Sequence, residues 1–108
     1  MNPTVSTPQR ELFETIPLGL ILLDSESVIL DANPMALDIL GASREAVLGN
    51  KVSESQWPTL REDGSPFPTR DYPALLALAS GRPVRDVVMG VPRVDSGEVR
   101  WLRTSAVP

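Results

Sequence analysis

The chain has 108 residues, the usual size of one domain, and its 42% hydrophobic and 22% charged content suits a folded core and argues against disorder. A formal net charge of −4 argues against a general nucleic-acid-binding surface. Cysteine and histidine are both absent, so there is no disulfide framework, no thiol nucleophile, no cysteine-held metal, and none of the usual general base, metal ligand or haem ligand.

No apolar run approaches the roughly 20 residues of a membrane span, and the first nine residues lack a secretory pattern. A cytoplasmic domain without membrane contact is expected. Charge is uneven: residues 1–63 carry 10 acids and 4 bases, and residues 64–108 carry 4 acids and 6 bases. Oppositely biased faces would favour self-association, although a dispersed, solvated charge produces the same count.

Residues 1–8 read as a flexible leader rich in Thr, Ser and Pro. From Gln9 to Ile16, Leu12, Phe13 and Ile16 share one side of a short flanking helix that Pro17 ends. The remaining stretch, 18–108, reads as the domain proper. Leu18 to Leu23 and the strand beginning Val28 to Leu30 make a hairpin across the polar turn Asp24 to Ser27. Asn33-Pro34 starts a helix, with Asn33 as cap and Pro34 in the first position, and Gly41 stops it. Ser43 caps a short turn of helix from Arg44 to Leu48.

Residues 50–69 lack periodicity and contain Pro58, Pro66, Pro68 and an Asp63-Gly64 turn. Trp57, Leu60 and Phe67 predict that this segment packs down as a lid. Glu62-Asp63 reads as a solvated turn rather than a catalytic pair. Arg70 to Ser80 is expected to be one helix, capped by Thr69 or Asp71, with Tyr72, Leu75, Leu76 and Ala79 on one stripe. Val84 to Val91 and Glu98 to Val107 form a second hairpin across Asp95-Ser96-Gly97. Val99, Trp101 and Arg103 share one face of the last strand, and Arg100, Leu102 and Thr104 share the other. Neither face is clean, so alternation does not choose the core side.

Five stretches in this order resemble the PAS domain family, the small sensory modules of bacterial signalling proteins. They are Ile16-Pro17-Leu18-Gly19-Leu20-Ile21-Leu22-Leu23-Asp24, Ile29-Leu30-Asp31-Ala32-Asn33-Pro34-Met35-Ala36, the run from Leu40 to Gly49, the run from Pro73 to Gly81, and Gly97 to Pro108. The resemblance covers roughly residues 10–108. It implies an α+β fold: a five-stranded antiparallel sheet with short helices on one face. In the family a last strand, lying between the first and the fourth, follows a segment like Arg100 to Pro108. The expectation is therefore a domain truncated before that strand.

The resemblance also implies a ligand pocket between the sheet and the helix from Tyr72 to Ser80. Its candidate lining is Tyr72, Leu75, Leu76 and Ala79 from the helix, Trp57 and Phe67 from the lid, and Val88 and Trp101 from the strands. The same side chains also suit a simply filled core. Family haem sensors use a histidine, and the family's covalent chromophores need a cysteine, so both are argued against here. No cofactor or metal is expected; Met89 reads as a core residue, and a non-covalent small organic ligand remains open. Asp31 and Asn33 match the family's Asp-x-Asn and read as structural. The expected function is non-catalytic: sensing a small ligand and relaying the signal to a C-terminal effector. Such an effector would be a histidine kinase, a cyclic-di-GMP enzyme or a helix-turn-helix transcription regulator. The alternative is a ligand-free interaction module, a homodimer with Leu12, Phe13 and Ile16 at its interface.

Overall fold

The computed structural model describes residues 8–55 and 57–108. The first helix, α1, spans Pro8–Thr15, so Pro8 belongs to the helix and the rest of the expected leader lies outside the described residues. The Ile16 N–H donates to the Leu12 carbonyl at 2.9 Å, which extends the helical bonding up to Pro17.

Strand β1 (Ile21–Leu23) pairs antiparallel with β2 (Ile29–Ala32). The intervening turn is held by Asp24, whose Oδ1 accepts the N–H groups of Glu26 at 2.8 Å and Val28 at 3.0 Å. Helix α2 (Pro34–Leu40) follows at once, and Asn33 explains why. Its Oδ1 accepts the N–H of Ala36 at 2.9 Å and of Leu20 at 2.8 Å, while its Nδ2 donates to the Leu18 carbonyl at 2.7 Å. One fully buried amide thus caps the helix and ties down the approach to β1. Gly41 closes α2 at φ 64°. Ser43 caps α3 (Arg44–Val47), accepting from the Ala46 N–H at 3.2 Å. Ala32, Ala36 and Val47 form the first core cluster, with Ile29, Leu37, Leu40 and Ala42 against it.

The lid segment contains a 3-10 turn at Val52–Glu54 and then joins the sheet edge. Leu60 exchanges backbone hydrogen bonds with Gly90 at 2.8 Å in both directions. The expected single helix from Arg70 is instead a 3-10 turn, Thr69–Asp71, followed by α4 (Pro73–Ser80). The break falls at Tyr72, extended at φ −60° and ψ 139°, because the ring of Pro73 disfavours a helical residue before it. Tyr72 therefore occupies the cap position without a side-chain cap bond, and neither Thr69 nor Asp71 serves.

Strand β3 (Val84–Pro92) pairs antiparallel with β4 (Val99–Ala106), Met89 facing Leu102 and Gly90 facing Trp101. The register shifts between Val84 and Val87, where Asp86 sits at φ 59°. The described strands form two two-stranded sheets, β1-β2 and β3-β4. Arg93 links the halves: its guanidinium donates to the Asp38 carbonyl at the end of α2 and pairs with Asp95 at 2.8 Å. The Val94 N–H donates to the Leu40 carbonyl at 2.9 Å beside it. Val94 thus gives the Leu40 carbonyl at the helix end a partner, and Arg93 adds a second donor to the Asp38 carbonyl, which also accepts the Gly41 N–H. Among the described residues no helix is long and apolar enough to cross a membrane.

Candidate functional site

Helix α4 lies across one face of the β3-β4 hairpin. Strand alternation and the pairing register put Val87, Met89 and Val91 on that face, opposite Thr104, Leu102 and Arg100. Phe67, Tyr72 and Met89 are buried together there, with Val52, Leu75, Val87 and Val91 packed around them. The Phe67 and Tyr72 rings meet edge to face, 5.6 Å between centroids at 65°. The Tyr72 hydroxyl donates to the Thr59 hydroxyl at 3.0 Å in a buried bond. The Arg61 guanidinium also lies over Phe67, 4.5 Å from the ring centroid, and pairs with Asp71 at 2.9 Å.

One polar atom of this face is unsatisfied. The Thr104 hydroxyl is buried and has no hydrogen-bond partner among the described residues. It stands across from Val87, on the side of the sheet that α4 covers. A buried polar group without a partner is costly and rare.

The eight sequence candidates do not gather into one pocket. Phe67 and Tyr72 are buried and Leu75 packs against them. Trp57 is half-buried, its indole N–H donating to the Pro92 carbonyl at 3.0 Å, and it braces the lid against β3. Leu76 is 40% exposed and Ala79 is exposed, so the predicted stripe is corrected: α4 buries Pro73 and Ala77 instead. Val88 and Trp101 point to the face of the hairpin away from α4, because each alternates with a residue of the buried face. The Trp101 ring lies over Gly90 on that outer face, where a Cβ would come within 2.8 Å of it. Sequence reasoning missed Thr59, Leu102 and Thr104 as site residues. For the latter two the only signal was that they alternate with Trp101.

Two open depressions border the hairpin. One, about 440 Å³, is lined by Arg61, Glu62, Asp63 and Phe67 and by the strand residues Asp86, Val87 and Val88, so it reaches residues of both faces. The other, about 210 Å³, is bounded by Glu62, Val88 and Trp101. Hydrogen bonds from the Ser65 hydroxyl and N–H hold the Asp63 carboxyl below the usual carboxylate range. Its turn is closed by the Gly64 N–H on the Arg61 carbonyl, in keeping with a solvated turn. Among the described residues no group of three or more metal-ligating side chains could hold a metal ion.

Asp31 in β2 is clamped between two arginines. Arg44 binds its Oδ1 and also the Ala32 carbonyl at 3.1 Å, while Arg10 donates to its Oδ2 at 2.9 Å. Partial burial pushes the Asp31 carboxyl up. The hydrogen bonds from Arg10, the Ala32 N–H and Arg44 outweigh it and hold the group below its ordinary value.

A family model described as PAS domain matches residues 9–76, more than half of the chain. The chain belongs to the PAS domain family. Two solved structures share its fold. The PAS domain of nitrogen regulation protein NR(II) from Vibrio parahaemolyticus aligns with a TM-score of 0.66 at 19% identity, over 95% of this chain and 85% of that one. The PAS domain of an HTR-like protein from Haloarcula marismortui aligns with a TM-score of 0.62 at 21% identity, over 89% of this chain and 76% of that one. No curated protein matches this chain.

Proposed function

We propose that this PAS domain is a non-catalytic, cytoplasmic sensory module that takes up a small organic ligand between α4 and the β3-β4 hairpin. The ligand-induced change in packing passes to an effector: a histidine kinase, a cyclic-di-GMP enzyme or a helix-turn-helix regulator. The similarity to a PAS domain of a nitrogen regulation protein supports the signalling context. The observation that carries the ligand reading is the Thr104 hydroxyl, buried without a partner on the face that α4 covers. An apolar ligand with one hydrogen-bonding group would satisfy it while displacing Phe67 or Leu75. Binding then favours the opened packing by its difference in affinity for the two states. No resident cofactor is needed for this.

Native mass spectrometry of freshly purified protein tests it. One small-molecule adduct per chain, lost in Thr104→Val, supports the sensor. A chain with no adduct that assembles to a dimer supports the second reading, a ligand-free homodimerisation module. That reading draws on apolar exposure: Leu12, Leu22, Leu30 and Trp101 are each more than half exposed. In it, Leu12, Phe13 and Ile16 supply one side of the contact.

A further inference from the structure

We infer that α1 is a detachable helix, latched to the domain by Arg10 on the carboxylate oxygen of Asp31 that the domain's own frame leaves to it. The two oxygens of Asp31 divide their partners. Oδ1 takes Arg44 and the Ala32 N–H, at 2.9 Å for the latter, both within the α3-β2 frame. Oδ2 takes Arg10 from α1. The Asp31 side chain is 16% exposed and Arg10 44%, so the carboxylate is set into the domain and the arginine reaches it from the surface.

The rest of α1 packs shallowly: it touches α2 with Phe13 and Glu14 half-buried, none of its residues is fully buried, and Leu12 is 60% exposed. Eight residues are too few for a helix to persist in water on its own, so its order comes from docking. Within the helix Arg10 also pairs with Glu14 at 2.8 Å and lies 5.4 Å from the Phe13 ring centroid. Arg10 thereby joins the helix's own contacts to the domain. Releasing it from Asp31 frees α1 while Arg44 keeps β2 and α3 together. Such a segment opens well below the free energy of global unfolding, and once free it presents Leu12, Phe13 and Ile16 to another surface.

Amide hydrogen exchange tests the latch through the Ile16 N–H, which reports on α1 by its bond to Leu12. Arg10→Ala is expected to speed exchange in α1 about fivefold, the scale of an ion pair at a surface. The α1 amides should open more readily than those of β3 in both proteins, and any loss of β3 protection or of Tm should be no larger than the α1 effect, because global unfolding includes release of α1. Wild type in 1 M NaCl should shift toward the variant, because high salt weakens an ion pair whose arginine is exposed. Glu14→Gln, which breaks only the pair inside the helix, should leave α1 protected. The latch is overturned if α1 exchanges equally in wild type and Arg10→Ala. It is overturned too if Glu14→Gln accelerates α1 as much, or if α1 in the wild type opens no more readily than β3.

Discussion

The hydroxyl of Tyr72 donates to the hydroxyl of Thr59 across 3.0 Å, and the bond is buried beneath the turn that leads into α4. It joins the lid segment to the residue at which the chain breaks before Pro73. Tyr72→Phe would leave the Thr59 hydroxyl buried without its partner, at a cost of about 1–3 kcal/mol. Thr59→Val should cost a similar amount. The double variant should lose less than the two single losses added, because the orphaned group is gone. Denaturant unfolding of the three variants checks this; strict additivity would mean that the two hydroxyls are not coupled.

Thr104→Val removes a buried hydroxyl that has no partner among the described residues. An apolar replacement of the same shape should stabilise the ligand-free domain by about 1 kcal/mol. A lower Tm for the variant would show that the hydroxyl is already bonded.

Gly41 ends α2 at φ 64°, and a Cβ there would come 2.5 Å from Asp95 Oδ1, which Arg93 holds. Gly41→Ala should therefore cost more than the roughly 1–2 kcal/mol of left-handed strain alone. The same substitution in an Asp95→Ala background should recover part of the loss. Equal losses in both backgrounds would show that only the backbone matters.

Leu76→Ala should cost far less than the roughly 2–5 kcal/mol of a core deletion, since Leu76 is 40% exposed. This position shows where the sequence was legible and where it was not. Local signals were clear: the Asn33-Pro34 start, the Gly41 stop, the Ser43 cap and both hairpins are where the residues predict them. Helix α4, PALLALAS, is apolar on nearly every side, so its periodicity cannot choose which stripe is buried. Likewise each face of β4 mixes one arginine with apolar and hydroxyl residues. Only its pairing with β3, under α4, turns Leu102 and Thr104 inward and Trp101 outward. A contact between elements decided both cases, and no local pattern encodes it.

Acid should destabilise the domain. Asp31, Asp63 and Asp95 are all held below the ordinary carboxylate value, Asp63 chiefly by Ser65, Asp95 chiefly by Arg93, and Asp31 by Arg10, Ala32 and Arg44 against its partial burial. A carboxyl with a lowered folded pKa contributes its stability above the unfolded value, about 4, and loses it as pH falls through the folded value. The Tm should be level on this account from neutral pH down to about 5 and fall below about 4. Asp31→Asn should flatten part of that fall, and an unchanged acid limb would remove Asp31 from the cause.

The most direct test of ligand uptake beneath α4 is an NMR titration of the amide-labelled domain with small aromatic compounds bearing one hydrogen-bonding group. Binding as proposed shifts Leu75, Met89, Leu102 and Thr104 together, saturably, and those shifts vanish in Thr104→Val. Shifts confined to Val88, Trp101 and Glu62 on the outer face, or none at any residue around Thr104, would contradict a sensor site between α4 and the sheet.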